Sequence, residues 1–373
     1  MNRLGASLAQ AGLLALLCAS VGCGDSGRDA RSTRDTSAFD PRVEQLRHWT
    51  SFRTRSGPGG GNGGLFFLSR FEFRERDVPP ALIEEALGSE EAEPGLPLAR
   101  VSLTSAMRIA RAFWGRLPTL EEWRGAIEGR VGYLFPWGDT ATDELRANTA
   151  RIGLWRRTRV GTFESGRNLG RVDSCYDLIG NVSEWTITPA AIVRLDEISR
   201  AAVPMDEVAD RADAFVLLRG AWPESLPFLV DPASPWMPEL LLAPSGFPSR
   251  VDFCTIGFSC GQSIPPRASR VQWQERLGLR NHLPEEWSWD LGFRMATDPY
   301  CFLGGLERAE GSPTEAEAAE IRRFLRTELE AFRSAARLRL RRLEWSERSM
   351  DSNRPSIGAW GQLAYEVLAV SPR

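Results

Sequence analysis

At 373 residues, with 42% hydrophobic and 25% charged side chains, the chain has material for one large domain or two ordinary ones and a globular composition. A net charge of -3 gives no nucleic-acid signal, and every basic residue is an arginine. Only two histidines are present, His48 and His282, which excludes a His-rich iron or zinc centre and weighs against Ser-His or Cys-His catalysis.

Residues 1–23, MNRLGASLAQAGLLALLCASVGC, set Arg3 before an apolar run and then small residues. That is the three-part plan of an export signal, too short to span a membrane. Gly22 before Cys23 resembles a bacterial lipoprotein cleavage site, so Cys23 is the expected lipidated N-terminus on the cell envelope. Plain secretion is the alternative. Residues 24–63 are polar, contain His48 and run into GPGGGNGG; that glycine run lacks the Lys and Ser/Thr of a phosphate loop and reads as a flexible tether. Export would leave Cys175, Cys254, Cys260 and Cys301 in an oxidising compartment, where one or two disulfides are expected. Cys254 and Cys260 pair if a turn joins them; as thiolates they suit a soft metal instead.

From Leu65 the texture becomes globular. LFFLSRFEF reads as a strand, and SLTSAMRIARAFW, residues 102–114, as a helix. Thr119 and Glu122 in RLPTLEEW have capping-box spacing ahead of Trp123. DLIGNVSEW, residues 177–185, offers two carboxylates and turn residues, which suits a calcium loop, an acid pair or a tight turn.

In order along the chain stand RLPTLEEW, FPWGD, AN, RVGTF, CYDLIGNVSEWT, LLRGAW and LGFR. Over about residues 64–299 this series resembles the formylglycine-generating enzyme family, also called the sulfatase-modifying-factor domain. The resemblance implies an α+β, C-type-lectin-like fold with little regular secondary structure and Trp-rich loops. It further implies a calcium site from the Asp177 side chain, the Gly180 and Val182 carbonyls and the Glu184 carboxylate. A second family calcium site would begin at Asn148 and the Thr149 carbonyl, but RIGLWRR follows where the family supplies an acid, so that site is expected to be lost.

Oxidase members of the family hold copper(I) on two cysteines just after the strand matched by LLRGAW. Here PESLPFLVDP follows, without cysteine. A long insertion displacing the equivalent strand to CTIGFSC would make Cys254 and Cys260 the catalytic pair, with PRASR matching the next family stretch. Two functions are therefore expected of the resemblance: a non-catalytic binding or structural module, or a divergent copper oxidase that converts a sulfatase cysteine to formylglycine.

Residues 300–373 lie beyond the family pattern. Ser312, Pro313 and Glu315 read as a helix start, and Ile321, Leu325, Phe332, Ala336, Leu340 and Leu343 form a stripe at helical spacing. One amphipathic helix over 313–347, about 50 Å long at 1.5 Å per residue, would dock on the domain or bind a protein partner. The lipid on Cys23 is the expected membrane contact, with the Arg-rich helix end a second candidate. AWGQLAYEVLAV, residues 359–370, reads as an added strand or docking segment.

Overall fold

The structure, a computed structural model, describes residues 39–53, 64–83, 86, 92–128, 132–140, 145–168, 174–195, 199–204, 253–264, 278–348 and 357–370. A short helix α1 (Pro41–Gln45) opens on Asp40, whose carboxylate accepts from the Arg42 backbone N–H. It leads into β1 (Trp49–Arg53), which pairs antiparallel with β2 (Leu65–Ser69), Trp49 opposite Ser69. Residues 39–53, inside the tether expected over 24–63, thus belong to the fold, and the expectation is corrected there. β1 covers only five residues beside a glycine run, and its burial does not alternate, so no period is there to read.

Helix α2 (Leu103–Ala112) starts where the sequence places it, with the Ser102 hydroxyl accepting from the Ser105 N–H and Leu103, Ala106, Met107 and Ala110 buried. Helix α3 (Leu120–Glu128) carries the expected capping box: Glu122 N–H donates to Thr119 Oγ1 at 3.1 Å, and Thr119 N–H to Glu122 Oε2 at 2.9 Å. Glu122 also takes a twin ion pair from Arg116.

Strands β3 (Ser183–Leu195), β4 (Ser199–Pro204), β5 (Phe253–Ile256) and β6 (Arg280–His282) form one sheet in the order β4-β3-β5-β6. The short β7 (Leu291–Gly292) runs parallel to β3 on its other side, so Glu184 faces Ile256 in one register and Gly292 in the other. A strand is thus present at Phe253–Ile256, which includes Cys254 but not Cys260. Strand β8 (Ala296–Thr297) completes the first sheet as β1-β2-β8. The α+β expectation, with short strands and many connecting loops, is borne out.

Both faces of β2 are buried. Phe66 and Leu68 join Trp123, Cys175, Cys254 and Ile256 in one apolar cluster, whereas Phe67 enters a second. That second cluster is shared between the domain and the C-terminal helices α4 (Pro299–Arg308), α5 (Glu315–Thr327), α6 (Leu329–Arg348) and α7 (Ala359–Leu368). Rings of Phe67, Phe302, Phe324 and Phe332 meet at 4.9 to 5.9 Å.

The single helix expected over 313–347 is two helices. The break is at Glu328 (φ -139°, ψ 52°), where the Thr327 hydroxyl takes the Phe324 carbonyl at 2.7 Å. Breaking there lets Phe324 and Phe332 enter the same core from successive helices. The start also moves: Thr314, not Ser312, is the N-cap, in a capping box with Glu317. Ile321, Leu325, Phe332, Ala336 and Leu340 are buried in the protein's own core, so the stripe is used internally. Residues 359–368 are helical, not a strand. The tail is fastened by Glu307, whose carboxylate accepts from Arg339 at 2.7 and 2.6 Å and from the Tyr365 hydroxyl at 2.5 Å.

Candidate functional site

The loop Ser174–Ser183 enters β3 through backbone turns that few sequences supply. Asp177, Gly180 and Asn181 all have positive φ (51°, 89° and 66°). Asn and Asp tolerate this region better than other side chains, and Gly180 is needed for a second reason. A Cβ there would lie 2.8 Å from the backbone N and O of Asn148. Gly180 therefore lets the loop close against Asn148, and Asn181 N–H donates to the Asn148 carbonyl at 2.7 Å.

Asn181 is the hub. Its Oδ1 accepts from Thr158 N–H at 2.8 Å and from Asn148 Nδ2 at 3.1 Å, while its Nδ2 donates to Glu72 Oε2 at 2.6 Å. Glu72 Oε1 accepts from Val182 N–H at 3.1 Å. Beneath lies Arg294, fully buried, donating to both oxygens of Glu184 at 2.5 to 2.9 Å and to the carbonyls of Tyr176 and Asp177 at 3.0 and 3.1 Å. Trp123 Nε1 adds a bond to Glu184 Oε2 at 2.9 Å.

Three buried carboxylates thus share one guanidinium. Burial, with the charges of Asp177 and Glu184, holds the Glu72 carboxyl well above the usual carboxylate range. Burial likewise pushes Asp177 up to about 6, against the Gly161 N–H and Arg294, which favour its anion. Burial alone would lower the Arg294 pKa, but Glu184 raises it further, so the guanidinium stays charged.

The calcium reading of Asp177, Gly180, Val182 and Glu184 does not fit this arrangement. A carboxylate has about four acceptor positions. Those of Glu184 are taken by three contacts from Arg294 and one from Trp123. Asp177 Oδ2 accepts from Gly161 N–H at 2.6 Å. Arg294 supplies the positive charge that a bound cation would bring to Glu184. At the second expected site, Asn148 Oδ1 is buried without a donor among the described residues, but the Thr149 carbonyl closes a turn with Ile152 N–H at 3.2 Å. Arg156 and Arg157 follow in place of a carboxylate.

Cys254 lies on β5 and Cys260 just beyond a turn with Gly257 and Phe258 at positive φ; both cysteines are fully buried. The four described cysteines are thiols, which corrects the expected disulfides. Cys260 N–H donates to the Asn181 carbonyl at 3.0 Å, so the turn is tied to the acidic loop. Burial and the nearby Asp290 carboxylate push the Cys260 thiol up to about 12. Both thiols are shut away from solvent, a setting that leaves a copper pair no open face for oxygen or substrate. LLRGAW and PRASR lie outside the described residues, as do the export signal and Cys23.

Glu72, Trp123, Asn181 and Arg294 carry the site and were not assigned roles from the sequence. Asn181 and Arg294 stand inside DLIGNVSEW and LGFR, but their partners come from distant segments; Glu72 was hidden in an apparent strand.

Residues 72–299 match the Sulfatase-modifying factor enzyme 1-like domain. The chain is 34% identical over 127 residues to a formylglycine-generating enzyme of Mycobacterium tuberculosis, covering 32% of this chain and 42% of that protein. It is 29% identical over 143 residues to the inactive C-alpha-formylglycine-generating enzyme 2 of Mus musculus, covering 32% of this chain and 45% of that protein. The chain thus spans less than half the length of these curated relatives. Among solved structures it is similar to CarF (16% identity, TM-score 0.38, 67% of this chain and 93% of that one). It is also similar to PvdO from Pseudomonas aeruginosa (18% identity, TM-score 0.35, 67% and 91%). With more than half of its length matched and the motif series in order, the chain belongs to the sulfatase-modifying-factor, or formylglycine-generating-enzyme-like, domain family.

Proposed function

We propose that this protein is a non-catalytic binding module of its family, exported and held on a bacterial envelope by a lipid on Cys23. The observation that carries the first part is the burial of Cys254 and Cys260, both fully closed to solvent. Oxidation of a sulfatase cysteine through copper(I) needs an accessible thiolate pair. The mouse relative described as inactive supports a family in which the fold outlives the reaction.

The test combines a thiol count, a copper(I) titration and incubation of the full chain with a cysteine-containing sulfatase peptide in air. Expected are thiols at Cys254 and Cys260 that react only after denaturation, no tight copper(I) uptake and no aldehyde product. One tightly bound copper(I) with a formylglycine mass on the peptide would restore the oxidase. For the anchor, Cys23→Ser moves the protein from the membrane to the soluble fraction.

A further inference from the structure

Away from the buried loop, a groove of about 490 Å³ opens between the segments 93–100 and 155–162 and the indole of Trp289. Its size is that of a small-molecule site, roughly 300 to 1,000 Å³. The lining is unusual for a protein of net charge -3. Arg100, Arg156, Arg157 and Arg159 converge on it against the single acid Glu93, with Trp155 and Trp289 as broad walls. Arg157 is bound to Glu75 at 2.7 Å, whereas Arg156 and Arg159 form no ion pair with a described residue.

Two further observations mark the groove as built. Arg100 and Trp155 have positive φ, 59° and 51°, a backbone state that costs non-glycine residues energy and gathers at functional sites. Trp155 is 61% exposed and Trp289 41%, so large apolar faces are kept in water. The walls are also cross-tied. Val160 N–H donates to the Gly95 carbonyl at 2.9 Å, Arg100 N–H to the Ser288 carbonyl at 3.0 Å, and Thr158 N–H to Asn181 at 2.8 Å. A ligand would therefore meet a preorganised surface.

We propose that this groove binds an acidic saccharide. Trp155 and Trp289 take the apolar faces of its sugar rings, and Arg156 and Arg159 take its carboxylate or sulfate groups through the planar fork that matches them. A peptide partner is disfavoured by the lining. Its anchor side chain needs an enclosed, desolvated socket, and Leu96 is the one aliphatic residue here. The inference names a ligand class for the binding-module reading and rests on that reading. Neither Cys254 nor Cys260 lines the groove, so the thiol and copper results stand or fall separately.

The experiment is calorimetric titration of the full chain in detergent, with tryptophan fluorescence, against tetragalacturonate, cellotetraose and hexaglutamate. Tetragalacturonate is expected to bind, shift the fluorescence and weaken with added salt. The neutral sugar is expected to bind at least about tenfold more weakly, the worth of one charged hydrogen bond. Trp155→Ala and the pair Arg156→Gln with Arg159→Gln each lower the affinity about tenfold or more, with melting temperature unchanged. Trp155→Phe, which keeps a ring, retains most of the binding. No binding of tetragalacturonate, equal binding of cellotetraose, or hexaglutamate binding as tightly with the same response to the variants would each overturn the proposal; the last would make the groove an acidic-peptide surface.

Discussion

A buried carboxylate persists only where something answers its charge, and around Asn181 three of them share Arg294. Arg294→Ala leaves Glu184 without its cation and is expected to cost about 3 to 5 kcal/mol in urea unfolding. Arg294→Lys should rescue only part of that loss, because one ammonium cannot span Glu184 and the carbonyls of Tyr176 and Asp177. Because Arg294 fills the cation role, excess EDTA is expected to leave the melting curve unmoved; a drop reversed by calcium would return the metal to the loop. The raised pKa values set a pH dependence of definite sign. Asp177, at about 6 when folded against an ordinary 3.8, binds its proton more tightly in the native state, and Glu72 does so too. The contribution of Asp177 is therefore full below about pH 4 and is lost as the pH rises through about 6, and that of Glu72 is lost in the same direction, with rising pH. Asp177→Asn should flatten that slope and raise stability at pH 7.5 by about 1 to 3 kcal/mol, read from urea midpoints across the range.

Helices with a local signature were legible before the fold was known. Ser102 and the Thr119–Glu122 box start their helices because a cap is satisfied within three residues. The strand β1 was not legible, since five residues carry too little period and its burial comes from β2, beyond the glycine run. The tail stripe was legible as a stripe, but not the break at Glu328, which a helical wheel over 313–347 passes through without a fault. Packing decides that break, because Phe324 and Phe332 both meet Phe67 and Phe302. Phe332→Ala is accordingly expected to cost about 3 to 5 kcal/mol by denaturant unfolding, the range for emptying a buried aromatic site. A change of no more than a few tenths would mean that the tail helix is not part of the core.

The family match ends at residue 299, yet the compact unit runs from Phe39 to Arg373 and draws part of its apolar core from the C-terminal helices. A chain cut after residue 310 exposes Phe67 and Phe302 and is expected to lose its cooperative unfolding transition, whereas a tail that merely tethers a partner would be removable at little cost. By itself the sequence determined the family, the α+β class and the positions of the turns, because those signals are contiguous: an ordered motif series, caps and glycines, each complete within a few residues. What each functional side chain does was decided only by the tertiary structure. Glu184 and Arg294 are 110 positions apart, and Asn181 and Glu72 are 109. A carboxylate reads the same in one dimension whether a calcium ion or a guanidinium answers it. Only the fold brings in the Arg294 guanidinium and the Trp123 N–H that use up the acceptors of Glu184.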